Sequence, residues 1–438
     1  MAPGGALEDL RDQAATWLEA NWDLDLTVAE WWERLGASGW GFPTWPTEWF
    51  GKGLDNDALA TIDGVFREKR ALGAPGGLGQ MMGGPVLMRH GSEDQQRMYL
   101  WPLASGAEQW CQFFSEPGSG SDLASAQTRA VRDGDEWVVN GQKVWTSGAM
   151  TADRGMLVAR VDMDAPKHRG LGYFIIEVDQ PGIEVRPLKQ MTGESHFNEV
   201  FFTDARVADA DLVGRPGDGW GAAVTTLAFE RTGRAGVVGV GFKSDTEFRT
   251  RRSELRKAKL GDVVDVAGAG RTLTVDSRNP GIAGRLSPVA LVNDPGNNRT
   301  DPIRQNVTRY YVQARVNTMT QQRARAAAEA GKGAGPASSI TKLARSVATR
   351  INRDLGPSIL GAAGMLAGPE APYGGAVAHA TVQSPSTSIA GGTDEIQHNI
   401  IGERVLGLPR EPQVDRDIPF RELRVGTVRG EGTKGDNA

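Results

Sequence analysis

The chain has 438 residues, enough to bury a large core and to form two or three domains. Its net charge of −5 argues against a nucleic-acid partner, and its single cysteine, Cys111, excludes an intrachain disulfide and a thiolate metal site. The histidines are scattered without ligand spacing, so no metal is expected; with no leader-like start and no apolar run long enough to span a bilayer, a soluble cytoplasmic protein is expected.

Leu7, Leu10, Ala14, Leu18 and Trp22 recur at helical spacing. Trp31, Trp32 and Trp40 follow, then Trp45 and Trp49 in a Pro- and Gly-rich loop, an aromatic core with a stapled connection. Residues 55–72 and 78–91 read as helices, and Ser92-Glu-Asp-Gln95 is a capping-box pattern that opens a helix running toward Leu103. Together these make an N-terminal helical domain over residues 1–108. After it the period becomes alternating. Asp133-Gly134 and Asn140-Gly141 are hairpin signals that bracket Trp137-Val-Val139. Further strands are expected at 156–161, 172–178, 183–188 and 196–203, giving a middle antiparallel β domain over 109–218.

From Trp220 the pattern is helical again. Helices are expected over 220–242, 302–331, 338–356 and 394–406, a C-terminal four-helix bundle within 219–410, so the fold class is α+β multidomain. Thr393 stands where an N-cap belongs, with Asp394 and Glu395 in the first turn, where carboxylates suit the helix dipole. One stretch, 245–300, is dense in Arg, Lys, Gly, Pro and Asn. It carries a basic run, Arg249-Thr-Arg-Arg252, and strand-like runs at Asp262–Val266 and Thr272–Val275. It reads as a solvated loop, with a subunit or partner contact as the alternative. The tail, 411–438, is charged and glycine-rich and reads as poorly ordered at its end.

The stretch that organises the chain is Trp110-Cys-Gln-Phe-Phe-Ser-Glu-Pro-Gly-Ser-Gly-Ser-Asp122. It begins as an aromatic strand and breaks at Pro117-Gly118 into a loop of glycine and serine, whose backbone N–H groups and hydroxyls can crowd against a phosphate or a polar ring edge. A second segment follows: Asn140-Gly-Gln-Lys143-Val-Trp145-Thr-Ser147. In this order the two resemble the acyl-CoA dehydrogenase family, whose members carry a Glu-Pro-Gly-x-Gly-Ser-Asp loop and then an Asn-Gly-x-Lys-x-Trp strand. The resemblance runs from the first helix to about Arg410.

It implies FAD-dependent α,β-dehydrogenation of an acyl-CoA thioester to a trans-2-enoyl-CoA. That chemistry needs a carboxylate for the α-proton, donors for the carbonyl oxygen as it becomes an enolate, and a flavin to take hydride from the β-carbon. By resemblance Phe114, Ser115, Gly120 and Ser121 line one side of FAD. Trp145, Thr146 and Ser147 cover the ring, and Thr393 and Glu395 approach from the last helix. Ser121 and Arg231 would contact substrate. For Trp145 taken alone, core packing is the commoner explanation.

Many relatives place the base in a Glu-Gly-Thr motif. Here Gly391-Gly392-Thr393 stands there, and the carboxylate is missing, although the Gly391 N–H can still serve the carbonyl. A minority carry the base on an earlier helix, in a segment ending Glu-Arg; Leu227-Ala-Phe-Glu230-Arg231 matches it, so Glu230 is the expected base. Outside that frame Glu230 is an ordinary helical Glu paired with Arg234 at i+4. The family's Gln-x-x-Gly-Gly segment reads Ser358-Ile-Leu-Gly361-Ala362, and its Arg-x-Phe-Gly segment is not recognisable. The partners implied are an electron-transfer flavoprotein and a homo- or hetero-oligomer. The rivals are an acyl-CoA oxidase and a non-catalytic subunit of a mixed oligomer.

Overall fold

The computed structural model describes residues 4–232, 235–243, 250–266, 286–329, 337–368, 370–412 and 415–423. These fall into two compact units: residues 267–411 with 190–194 belong to one, and the remainder to the other.

The larger unit opens with five helices: α1 (Gly4–Asn21), α2 (Val28–Ser38), α3 (Asn56–Glu68), α4 (Gly84–His90) and α5 (Glu93–Ala104). Local chemistry sets their ends. Thr27 and Glu30 form a capping box on α2, and Ser92 and Gln95 form the expected one on α5. Gly39 closes α2 in the left-handed region at φ 74°. The helix expected over 78–91 is divided, with a π-helical turn at Gly79–Gly83 leading into α4. Trp31, Trp32, Leu35, Leu59, Ile62 and Phe66 fill the core between these helices. Both indoles donate to backbone, Trp31 to Leu72 O at 2.9 Å and Trp32 to Gly73 O at 3.1 Å.

A seven-stranded sheet follows: β1 (Trp110–Phe113), β2 (Arg129–Asp133), β3 (Glu136–Ser147), β4 (Arg154–Arg160), β5 (Leu171–Glu177), β6 (Ile183–Leu188) and β7 (Phe197–Ala208). The order is β1-β4-β2-β3-β7-β6, with β5 paired to β4. Pairing is antiparallel for most of its length, while β1 runs parallel to β4. Asp133-Gly134 does make a tight β2–β3 hairpin, with Asp133 opposite Glu136. Asn140-Gly141 does not turn: β3 runs straight through it, with a register shift between Val139 and Gly141. A side chain at Gly141 would put Cβ 2.5 Å from Thr128 Oγ1, so the glycine serves close approach rather than reversal.

The structure departs from the expected helix over 220–242, from the solvated loop and from the strand-like run at 262–266. The helix predicted over 220–242 is α6, Gly219–Thr232, and it is shorter. Residues 235–243 are irregular rather than helical: Val238 and Gly239 donate their N–H groups to Asp63 Oδ1, Gly239 is left-handed at φ 54°, and Leu72 bridges Gly239 and Val240. The supposed solvated loop packs, over 250–266, on the N-terminal helices. Leu255, Leu260 and Val264 are buried in the Trp31–Trp32 core, and Val28 N–H donates to Ala258 O at 2.9 Å. The strand-like run at 262–266 begins in a helical turn, Leu260–Val263, and Val264 is bridged to Phe242, while the run at 272–275 lies outside the described residues. Residues 219–266 group with the larger unit. The tail also docks in part: Phe420 is buried and stacks on Arg160 at 3.6 Å, and its N–H donates to Ala165 O.

The smaller unit is helical: α7 (Asp301–Glu329), α8 (Ala337–Leu360), α9 (Ala376–Gln383) and α10 (Asp394–Arg404). Leu291, Ile303, Val307, Leu355, Ile359 and Val377 form its core. No helix among the described residues is long and apolar enough to cross a membrane.

Candidate active site

In the larger unit the Gly/Ser loop is held from below by a buried ion pair. The reciprocal bonds Glu116 N–H to Ser119 O (2.8 Å) and Ser119 N–H to Glu116 O (3.1 Å) close a tight turn at Pro117-Gly118. Lys143 of β3 is fully buried; its Nζ donates to Glu116 Oε1 at 2.8 Å and to Phe114 O at 2.9 Å. The same carboxylate accepts from the N–H groups of Thr128 (2.9 Å) and Gln127 (2.7 Å). Burial alone would raise the pKa of Glu116, but Lys143 and the two backbone donors hold it below the usual range. Burial pulls Lys143 down, and Glu116 offsets only part of that. Arg160, also buried, donates to Ala126 O and Lys167 O, fixing the chain just past the loop; burial takes its pKa to about 10. Phe114 is therefore buried and Ser115 half-buried, while Gly120 and Ser121 stand exposed on the rim.

β3 carries the next three predicted residues. Its register shifts again between Lys143 and Thr146, and Trp145 sits there at φ 62°. A bulky residue in the left-handed region costs on the order of 1–3 kcal/mol, which the flanking pairs must impose. The result is an indole 58% exposed, edge-on to Phe197 at 5.9 Å, so Trp145 is not core packing. Thr146 beside it is buried, and its hydroxyl has no partner among the described residues. Ser147 is half-buried. A strained, presented ring next to an orphaned buried hydroxyl fits a flat cofactor with polar edges, which is what FAD is.

Glu230 lies on α6 and is half-buried. That helix is anchored by buried Ala222 and Ala223, by Thr226 Oγ1 at 3.1 Å from Tyr173 OH, and by Thr225 Oγ1 at 2.8 Å from His90 Nε2. The side chain of Arg231 and all of Arg234 lie outside the described residues.

In the smaller unit Gly391 and Gly392 are both left-handed, at φ 68° and 87°. Thr393 caps α10, its hydroxyl accepting from Ile396 N–H at 3.3 Å, and Glu395 is exposed in the first turn. Asp394, by contrast, is buried between Lys342 and Arg350 of α8. Burial opposes its charge, but bonds from Arg350, Ser346, Lys342 and Ser388 outweigh that and hold its pKa far below the usual carboxylate range. The roles of Glu116, Lys143, Asp394, Lys342 and Arg350 were missed in the sequence. Lys342, Ser346 and Arg350 do recur every fourth residue, which was the available signal. Among the described residues no cluster of His, Cys, Asp and Glu could hold a metal ion.

Three family profiles match in order: acyl-CoA dehydrogenase N-terminal domain over residues 6–107, middle domain over 111–205 and C-terminal domain over 299–406. The acyl-CoA dehydrogenase IpdE1 of Mycobacterium tuberculosis is 36% identical over 386 residues, 87% of this chain and 88% of that protein. FadE34 of the same organism is 35% identical over 331 residues, 74% of this chain and 39% of that protein. Among solved structures, the Tcur3481-Tcur3483 steroid ACAD is 28% identical with a TM-score of 0.66, covering 93% of this chain and 99% of that one. The ChsE4-ChsE5 complex from Mycobacterium tuberculosis is 26% identical with a TM-score of 0.65, covering 94% and 99%.

Proposed function

The chain belongs to the acyl-CoA dehydrogenase family of oxidoreductases, and from that premise we propose that it draws the α-proton of an acyl-CoA onto Glu230 and yields a trans-2-enoyl-CoA. The observation that carries the reading is a contrast. The turn where many relatives hold a carboxylate has only Gly391, left-handed and without a side chain, while α6 presents a half-buried Glu230.

The residues that would hold FAD are Phe114, Ser115, Gly120, Ser121, Trp145, Thr146, Ser147, Thr393 and Glu395. When bound, FAD supplies the acceptor for the hydride that leaves the β-carbon. The rest falls to the protein. Glu230 takes the α-proton, Gly391 N–H donates to the thioester oxygen as charge develops there, and the Trp145 indole keeps water from the reacting atoms. Ser121 and Arg231 hold the substrate. Gly391 and Gly392 remove bulk near the thioester and leave room for branched or ring-bearing acyl groups.

Electrons would pass to an electron-transfer flavoprotein, in the cytoplasm. A homo- or hetero-oligomer is part of the proposal, since the similar ChsE4-ChsE5 assembly is a complex of two different chains. The test is a panel of acyl-CoAs of differing chain length and shape, assayed with an artificial electron acceptor on protein purified with its flavin. Enoyl-CoA formation supports the reading. Peroxide formed under air at the same rate would make the protein an oxidase. A colourless protein that cannot be reconstituted with FAD would make it a non-catalytic subunit.

A further inference from the structure

We propose that Asp394 is a positioning residue: held by Lys342 and Arg350, it fixes the Gly391-Gly392 turn so that the Gly391 N–H stays placed for the thioester carbonyl. The inference rests on the reading above and deepens it.

The turn is held from two sides. α8 brings Lys342, Ser346 and Arg350 to one face, four residues apart. Lys342 Nζ donates to Asp394 Oδ1 at 3.1 Å, and Arg350 Nη1 donates to Asp394 Oδ2 and, at 2.8 Å, to Ser388 Oγ. Ser346 Oγ donates to Thr387 O at 3.1 Å. From within α10, buried Gln397 donates through Nε2 to both Gly391 O and Gly392 O, each at 3.2 Å. The carbonyls of this turn are therefore occupied. The N–H groups of Gly391 and Gly392 have no partner among the described residues.

Starting α10 does not need this arrangement, because Thr393 already caps the helix. Burying a carboxylate between two cations carries a desolvation cost that an apolar contact would avoid. What the charged cluster adds is geometry: Lys342, Ser346 and Arg350 of α8 hold Thr387, Ser388 and Asp394 on either side of the turn, and Gln397 of α10 holds the carbonyls of two glycines that would otherwise be free to move. A donor displaced by about 1 Å loses much of its value to a transition state.

The experiment uses the full chain with its flavin. Exchange of α-hydrogens with deuterated solvent is followed by NMR on the 3-thia analogue of the best substrate in the panel, which can enolise but has no hydride to transfer. Asp394→Asn should slow exchange and kcat together by about tenfold, with KM within about twofold and the flavin spectrum unchanged. Arg350→Lys should restore most of the rate that Arg350→Gln loses. Exchange at the wild-type rate in Asp394→Asn overturns the inference. If that variant does not fold, Arg350→Gln decides, since its side chain is 40% exposed and its loss leaves the fold standing; wild-type exchange there overturns the inference equally. Glu230→Gln runs alongside: abolished exchange in it, with wild-type exchange in the Asp394 variant, sinks the positioning role alone. No exchange by the wild type sinks both.

Discussion

Two backbone turns in this molecule are tied down by buried ion pairs, and the ties differ in how much water reaches them. At Pro117-Gly118 the pair is Lys143 and Glu116, with side chains 0% and 7% exposed. Lys143 makes two hydrogen bonds there, to Glu116 and to Phe114 O, and Glu116 accepts two more from backbone N–H groups. At Gly391-Gly392 the carboxylate is 10% exposed, but Arg350 is 40% exposed. Removing a partner from the first leaves a charge stranded in a dry interior. Removing Arg350 from the second leaves Asp394 still paired with Lys342, whose side chain is 5% exposed. The first tie belongs to the stability of the fold, and the second to the placement of a turn.

The sharpest way to break that contrast is Lys143→Met. It should cost about 3–5 kcal/mol, because Glu116 keeps its burial and loses its counter-charge. Urea denaturation checks it, and adding Glu116→Gln should recover part of the loss. A cost below about 1 kcal/mol would place the two ties in one class.

Acid sharpens the same contrast. The Glu116 pKa is held below its unfolded value, so its contribution is fully present above the ordinary Glu value of about 4.3 and fades as pH falls through the lower folded value. The stability gap between wild type and Glu116→Gln should therefore be constant at neutral pH and close on acidification below that range. A gap that widens on acidification would mean burial, not Lys143, dominates.

The smallest effect concerns Trp145. Trp145→Gly relieves the left-handed backbone and loses the contact with Phe197, so the terms roughly cancel. Trp145→Ala loses the contact and keeps the strain. Thermal melts should rank Gly above Ala by about 1 kcal/mol, the reverse of an ordinary strand position.

Local signals were legible in the sequence because their causes are local. The Ser92–Gln95 box, the Thr393 cap and the Asp133-Gly134 hairpin each need only four or five neighbouring residues. What escaped depends on partners far along the chain. Asn140-Gly141 has turn chemistry, but Thr128 decides that it becomes a bulge. Val237, Val238 and Val240 sit among glycines in a run that reads as helix, but Asp63, Ala71 and Leu72 hold its backbone in a non-helical path. The charged run around Leu255 and Leu260 hides apolar residues whose destination, Trp31 and Trp32, lies more than two hundred positions earlier. The candidate site divides the same way. The Gly/Ser loop and Trp145 announce themselves, whereas the charges that hold them become visible only once β3 lies under the loop.

In the proposed reaction Glu230 has taken over proton abstraction from the position now held by Gly391. The most direct test is anaerobic mixing of flavin-loaded Glu230→Gln with saturating acyl-CoA substrate, following the flavin absorbance in a stopped-flow instrument. Substrate should bind and perturb the spectrum, but bleaching should be slower than in wild type by about a thousandfold. Bleaching at the wild-type rate would contradict that role for Glu230.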